Sequence, residues 1–358
     1  MRIVDVKSYL LPKTPPPVTF RWRAGLPGSD DFDEPMVLRI VTDEGVDGYS
    51  EIRRGRIGLD LVERRLKHLL IGEDPLLKED LWKKIWELDR IEELPIYALG
   101  AVDIALWDIT AKVANLPLYK LMGGYRNAIP AYASTVTFGS IDEYLAVADQ
   151  CLELGYTAIK LHAWGDARRD ALLARELRRH VGDQIPLMYD GSAGFDFQDA
   201  LYLGKALEDA GFMWYEEPMR EFSIASYQNL KTKLDIPLLV AETSDGCHFN
   251  SADFIKFQAG DIVRTSTGLK GGVTGAIRIA HLADAFQLRA EVHGGGLPNI
   301  HVACAIPNTT YYESLVFENP VKRDPLVDAN GMVSAPQSPG IGWTWDKSAL
   351  EESAAIIV

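Results

Sequence analysis

Apolar and polar residues change their period twice along this chain. Within residues 1–52 they alternate as strands do. Ile3, Val4 and Val6 form one candidate, Met36 to Val41 another, with turn signals at Asp43-Glu44-Gly45 and Asp47-Gly48. The intervening stretch, around Arg21-Trp22-Arg23 and from Gly25 to Asp33, has no period and reads as a long loop. Residues 60–122 turn helical. In Gly100 to Val113, Val102, Ala105, Leu106, Ile109 and Val113 recur at helical spacing, and Gly123-Gly124 closes the block.

From Ile129 short apolar runs alternate with amphipathic helical patterns. The runs are 129–136, 157–161, 186–189, 212–215, 237–241, 262–265, 288–292 and 310–315. Helical stretches at 141–153, 167–180, 199–210 and 223–234 lie between them. Strand and helix alternating about every 26 residues predict βα units with a parallel sheet, and eight units predict closure into a (β/α) barrel. The tail after about residue 320 is rich in Pro and Gly, leaves the repeat, and is expected to pack back on the N-terminal region.

Composition narrows the function classes. With 358 residues, 47% hydrophobic, the chain can build a large core. A net charge of −14 disfavours nucleic acid as a partner, because phosphates repel an acidic surface. Cys151, Cys247 and Cys304 lie far apart with no CxxC, which reads as reduced thiols rather than a disulfide framework. The start Met1-Arg2-Ile3-Val4-Asp5 lacks a signal peptide's apolar core, and no run reaches the ~18 apolar residues of a membrane span. A soluble, cytoplasmic protein without membrane association is expected.

In a barrel of this type functional residues sit where strands end. The polar residues there are Lys160 and His162, Asp190, Glu216, Glu242, Ser266, His293 and Glu313. Asp190, Glu216 and Glu242 are each 26 residues apart, one βα unit, which sets three carboxylates side by side at one mouth. They repel each other unless a hard cation lies among them, and Mg²⁺ takes such oxygen ligands while keeping sites open for substrate. Glu216-Glu217-Pro218 leaves two acids in contention; Glu216 is read as the ligand and Glu217 as its support from behind. Lys160 and His162, two apart on a strand, share a face, and His293 precedes Gly294-Gly295-Gly296, which lets backbone approach closely.

As a set these residues resemble the enolase superfamily, and within it the mandelate racemase group. The resemblance spans nearly the whole chain. It implies an α+β capping domain at 1–125, a modified (β/α)₇₋₈ TIM-type barrel at 126–320, and a segment at 321–358 completing the cap. The helix from Gly100 to Asp108 is similar to the group's capping helix, and Ile159-Lys160-Leu161-His162 stands at its Lys-x-Lys motif. Asp190, Glu216 and Glu242 match its three metal ligands, with Tyr215-Glu216-Glu217-Pro218 the most specific string. Gly271-Gly272-Val273-Thr274-Gly275 matches the run opening the helix after strand six. His293 matches the seventh-strand catalytic His, and Glu313 the acid that bonds the substrate carboxylate. The resemblance also implies one Mg²⁺ per subunit and a homo-oligomer.

Two departures shape the expected chemistry. His162 replaces the motif's second Lys, and Ser266 replaces the sixth-strand Asp that pairs with the catalytic His. Without a carboxylate partner His293 is expected to donate a proton rather than take one. The reading is therefore His162 as base and His293 as acid, with Lys160 and a protonated Glu313 stabilising the charge that develops on the substrate carboxylate. The expected reaction is dehydration of an acid sugar to a 2-keto-3-deoxy acid. The alternatives are a racemase or epimerase on the same scaffold, and a silent metal-binding member. Arg21, Trp22 and Arg53 are the candidate contacts to a polyhydroxy carboxylate substrate, with Ser266 beside them.

Overall fold

Two sheets carry the chain in this computed structural model, which describes residues 1–15, 19–28 and 32–358; residues 29–31 of the expected Gly25–Asp33 loop lie outside the described residues. The first sheet is an antiparallel meander of β1 (Ile3–Leu10), β2 (Met36–Thr42) and β3 (Gly48–Ile52). Its turn is locked by Asp47, whose carboxylate accepts from Arg39 Nε at 2.8 Å. Val6, Leu38 and Ile40 pack with Leu81 and Ile85 of the helix Lys78–Glu92 and with Val102, Leu106 and Ile109 of the helix Ile96–Val113. The second helix is buried on almost every side, as its largely apolar sequence requires of a helix packed between two layers.

The second sheet holds the eight predicted parallel strands: β4 (Ala128–Thr135), β5 (Ile159–His162), β6 (Leu187–Asp190), β7 (Trp214–Glu216), β8 (Leu238–Val240), β9 (Ile262–Thr265), β10 (Arg289–Val292) and β11 (Tyr312–Val316). Its order runs β10-β9-β8-β7-β6-β5-β4-β11, so the two edges are consecutive in the chain and the sheet curls into a barrel. Helices between strands start where the sequence offers a cap. Ser140, Asp166, Asp196 and Ser223 each accept a backbone N–H of the first turn that follows. Buried strand ends and capped helix starts thereby fix the loops at one mouth.

The tail touches both sheets. Residues Met332–Ser334 form β12, antiparallel to β4, and Ile356–Ile357 form β13, antiparallel to β1. Among the described residues no helix is long and apolar enough to cross a membrane.

Two motifs far apart in sequence form one joint between the sheets. Asp103, on the helix Ile96–Val113, accepts Thr274 N–H at 2.8 Å and the Thr274 hydroxyl at 2.6 Å, capping the helix Gly272–Ala285 from outside its own segment. Trp82 Nε1 donates to the Gly271 carbonyl at 2.8 Å and Trp107 Nε1 to Thr274 Oγ1 at 2.9 Å. Gly272 has φ +84°, and a Cβ there would lie 2.3 Å from Asp103 Oδ2; one on Gly275 would lie 1.6 Å from the Lys270 carbonyl. Gly272→Ala is therefore expected to cost about 2–4 kcal/mol in denaturant unfolding.

Burial pushes the Asp103 carboxyl from 3.8 up to about 7, against the Thr274 hydrogen bonds. Between those values the folded chain keeps a proton that the unfolded chain has released, so stability falls as pH rises through that window. Asp103→Asn should gain stability relative to the wild type from pH 4 to pH 7 and hold level above. A pH-independent difference between the two melting curves would count against this.

Candidate active site

Register places the chemistry. His162, Asp190 and Glu216 are paired positions across β5, β6 and β7, so their side chains leave adjacent strand ends together. Glu242 follows β8, His293 follows β10, and Glu313 stands in β11. The loops just beyond β6, β7 and β8 carry residues in the left-handed region, Ser192, Ala193, Glu217 and Ala241 with φ from 41° to 68°. Such backbone persists where surrounding bonds over-determine it, and it gathers at functional sites. Here the bonds are visible: Glu221 accepts from the N–H groups of Ala241, Thr243 and Ser244, and Lys270 Nζ donates to the Ser244 carbonyl at 2.8 Å.

Beneath the mouth lies a network of buried charge. Lys160 Nζ is 3.1 Å from Asp190 Oδ2, 3.0 Å from Glu216 Oε2 and 2.7 Å from Glu313 Oε1. Arg264, fully inside the barrel, grips Glu216 with two prongs, Nε to Oε1 and Nη2 to Oε2 at 2.7 Å, and reaches Tyr132 Oη at 3.0 Å. Burial pushes the Glu216 carboxyl up, to about 8, but the two-pronged contact is the geometry of an ion pair and we take Glu216 as a carboxylate. Despite burial, His162 and Lys160 hold Asp190 well below its usual range. Burial and the nearby Glu242, Glu221 and Asp190 push Glu217 well up, and the Thr243 hydroxyl contacts it.

The two imidazoles differ. His162 Nδ1 donates to the Thr135 carbonyl at 2.6 Å; a carbonyl only accepts, so Nδ1 carries a proton. Its Nε2 faces Asp190 Oδ2 at 3.0 Å, and the Trp22 ring lies 4.6 Å away, centroid to centroid. His293 Nδ1 lies 3.2 Å from Glu242 and 3.3 Å from Glu313. Burial opposes its charge, but those two carboxylates outweigh burial and raise it to about 10.

Two expectations are corrected here. His293 does have carboxylate neighbours, because Glu242 and Glu313 converge on it where the sixth-strand Asp is missing. Glu313, expected to be protonated, is held well below its usual range: burial opposes this, and Lys160, His293 and Arg264 override it. Its Oε2 instead accepts Gly294 N–H at 2.7 Å.

A cavity of about 250 Å³ opens over these groups, lined by His162, Asp190, Glu217, Glu242, His293 and Glu313 together with Trp22, Leu26, Ser192, Ala193, Arg220, Thr243 and Leu315. The loop bearing Trp22 is strapped across the mouth by Thr137 N–H to the Arg21 carbonyl at 2.9 Å and Ala24 N–H to the Trp164 carbonyl at 3.1 Å. Lys160 sits below the cavity floor. The Arg21 side chain is exposed and does not line the cavity. Arg53 lies in another groove with Phe32 and Glu34, 3.9 Å from Asp33. Ser266 Oγ accepts Gly268 and Leu269 N–H groups, a turn within its own loop. Sequence reasoning left Arg264 unplaced, though a charge inside an apolar strand was a signal; Arg220, in a loop, offered none.

Whether these residues suit a divalent cation can be judged on their atoms. Glu242 Oε2 is buried and makes no well-aligned hydrogen bond, with His293 Nδ1 at 3.2 Å and Arg264 Nε at 3.6 Å as its cationic neighbours. Ligand atoms of Glu216, Glu242 and His293 lie within 4.8 Å of one another. Asp190, the third expected ligand, is turned toward Lys160, His162 and the Ser192 N–H. The donor set fits a hard cation, with Asp190 one strand from Glu216.

Comparison with known proteins agrees with this picture. Residues 143–349 match the family Enolase C-terminal domain-like, and residues 31–123 match the Mandelate racemase / muconate lactonizing enzyme N-terminal domain. The chain is 27% identical to an arabinonate dehydratase of Saccharolobus solfataricus, over 89% of this chain and 90% of that one. It is 30% identical to a 3,6-anhydro-alpha-L-galactonate cycloisomerase of Streptomyces coelicolor, over 89% and 91%. The crystal structure of D-glucarate dehydratase from Agrobacterium tumefaciens complexed with magnesium superposes with a TM-score of 0.89 at 32% identity, covering 99% of this chain and 100% of that one.

Arg264→Met would leave Glu216 buried with Lys160 as its remaining cation and is expected to cost about 3–5 kcal/mol without metal. Added Mg²⁺ should then raise the melting temperature more in the variant than in the wild type, since Glu216 is released to a cation. Equal shifts would show that Arg264 does not compete for Glu216.

Proposed function

We propose that this chain, which belongs to the mandelate racemase / muconate lactonizing enzyme family of the enolase superfamily, removes the proton beside the carboxylate of an acid sugar and expels water to give a 2-keto-3-deoxy acid. The observation that carries the reading is the asymmetry of the two imidazoles. They reach one cavity from β5 and from the loop after β10. His162 Nε2 faces a single carboxylate, Asp190, which a bound cation would draw away so that Nε2 is free to accept a proton. His293 Nδ1 stands between Glu242 and Glu313, which hold it as imidazolium. A base on one side and an acid on the other is what elimination needs.

A proton next to a carboxylate is weakly acidic because its removal places a second negative charge on the carboxylate. Asp190, Glu216 and Glu242 would hold Mg²⁺, and the ion when bound supplies positive charge where that negative charge forms. Lys160 adds a buried ammonium beneath the same point, already oriented by three carboxylates. His162 Nε2 takes the proton, its ring held by the Thr135 carbonyl and packed at a tilt against Trp22. His293 gives its proton to the departing hydroxyl, which leaves as water, and solvent reprotonates the ring, whose charge the Glu242 and Glu313 carboxylates stabilise. In the proposed division, residues 1–125 and 321–358 cap the barrel of residues 126–320, and the Trp22 loop closes the site from the cap. A second reading, epimerisation, draws on the carboxylates beside His293, which would also steady it as a base in the reverse sense.

The test is 2-keto acid formation over a panel of acid sugars with Mg²⁺. His162→Asn should lower turnover and solvent deuterium exchange together, by about 10²–10⁴-fold. His293→Asn should lower keto acid formation by a similar factor yet retain exchange. Exchange into substrate with no keto acid from the wild type would instead point to the epimerase, and no exchange with any acid sugar would end the proposal.

A further inference from the structure

The cavity has a polarity that the proposed chemistry does not use. Its floor is acidic, but its rim carries the guanidinium of Arg220. Among the described residues nothing accepts a hydrogen bond from Arg220 and no carboxylate lies within ion-pair distance of it. Other exposed arginines, such as Arg56 with Glu34 and Arg64 with Glu92, do have such partners.

The backbone on both sides of Arg220 is nonetheless held firmly. Buried Tyr227 Oη donates to the Met219 carbonyl at 2.5 Å, and buried Glu221 accepts three backbone N–H groups of the loop after β8. A rigid stem carrying an unpartnered charge is pre-organised for a ligand, because little order is left to impose on binding. Behind it stands Arg23, whose Nε donates to the Ser192 carbonyl at 3.0 Å and whose Nη1 donates to the Ala24 carbonyl at 3.0 Å. Burial and then the nearby Arg220 guanidinium disfavour the charge on Arg23, with Glu217 opposing them. Arg220 on the cavity lining, with Arg23 behind it, is a counterpart of the carboxylates on the same lining: each is relieved by an ion of opposite sign.

We propose that Arg220, with Arg23 behind it, receives a second carboxylate, so that the substrates are aldaric acids, sugars oxidised at both ends, rather than aldonic acids. This rests on the acid-sugar reading of the same site. The carboxylate next to the labile proton lies at the floor among Lys160, His162 and His293. The distal one meets Arg220 through two charge-assisted hydrogen bonds, a geometry that guanidinium and carboxylate share and an ammonium cannot reproduce.

Calorimetric binding to the Mg²⁺-loaded full chain tests it, using six-carbon aldarates and the aldonates of the same configuration. The aldarate should bind at least tenfold more tightly. Arg220→Gln should bring the ratio close to one, and Arg220→Lys should restore part of it. Deuterium exchange with equal affinity for mono- and diacids overturns the diacid assignment and leaves the reaction standing. A diacid preference that Arg220→Gln removes, without exchange or keto acid, upholds the recognition and faults the reaction instead. A preference that survives Arg220→Gln, or binding of neither acid, defeats the inference.

Discussion

Mutual repulsion of carboxylates is the constraint around which the barrel mouth is arranged. Asp190, Glu216, Glu242 and Glu313 are all nearly or wholly buried within a few ångströms of common partners. Two like charges 4 Å apart cost about 4 kcal/mol even at an effective dielectric of 20, so such a group needs positive charge threaded through it. Lys160, Arg264 and protonated His293 supply it, each touching two or more of the acids. Their positions follow from strand register, which is why short strands with buried ends are enough to build the site.

That arrangement also defines how a cation would enter. Glu242 keeps a buried oxygen without a well-aligned hydrogen bond, while Glu216 is held by Arg264 and Asp190 by Lys160 and His162. A metal would take over charge balance that protein cations now provide, so its affinity is set by competition inside the protein as much as by the ligands. The proton inventory moves with it. His293 owes its charge to the same Glu242 that a metal would engage, and metal loading and acid strength are therefore linked through one carboxylate.

The joint between the two sheets holds the N-terminal layer against the barrel. Asp103, Trp82 and Trp107 bind the start of the helix Gly272–Ala285, and Gly272 is needed because the capping helix comes too close for any side chain. Asp108 extends the same attachment, accepting N–H groups from Tyr49 of β3 and Ile341 of the tail. The Trp22 loop reaches the barrel mouth through backbone bonds to Thr137 and Trp164.

Much of this was readable from residue order alone, because it depends on period. Eight apolar runs at regular intervals, with Ser or Asp ahead of the intervening helices, specify parallel strands and the end at which their polar residues emerge. The positions of Asp190, Glu242, His162 and His293 around one cavity, and of Glu216 beside Asp190 on the next strand, follow from that spacing. What spacing cannot express is which charge neutralises which. Ser266 in place of an acid suggested an unaided His293, yet two carboxylates from other strands stand beside it; against burial, Glu313 is kept ionised by Lys160, His293 and Arg264, all distant in sequence. Arg53 follows a strand of the other sheet and faces a different groove, whereas Arg220 rises from a loop with no period to announce it. Period is a local property of the chain, legible one element at a time. Electrostatic pairing depends on distances across the barrel, and only the folded chain sets those.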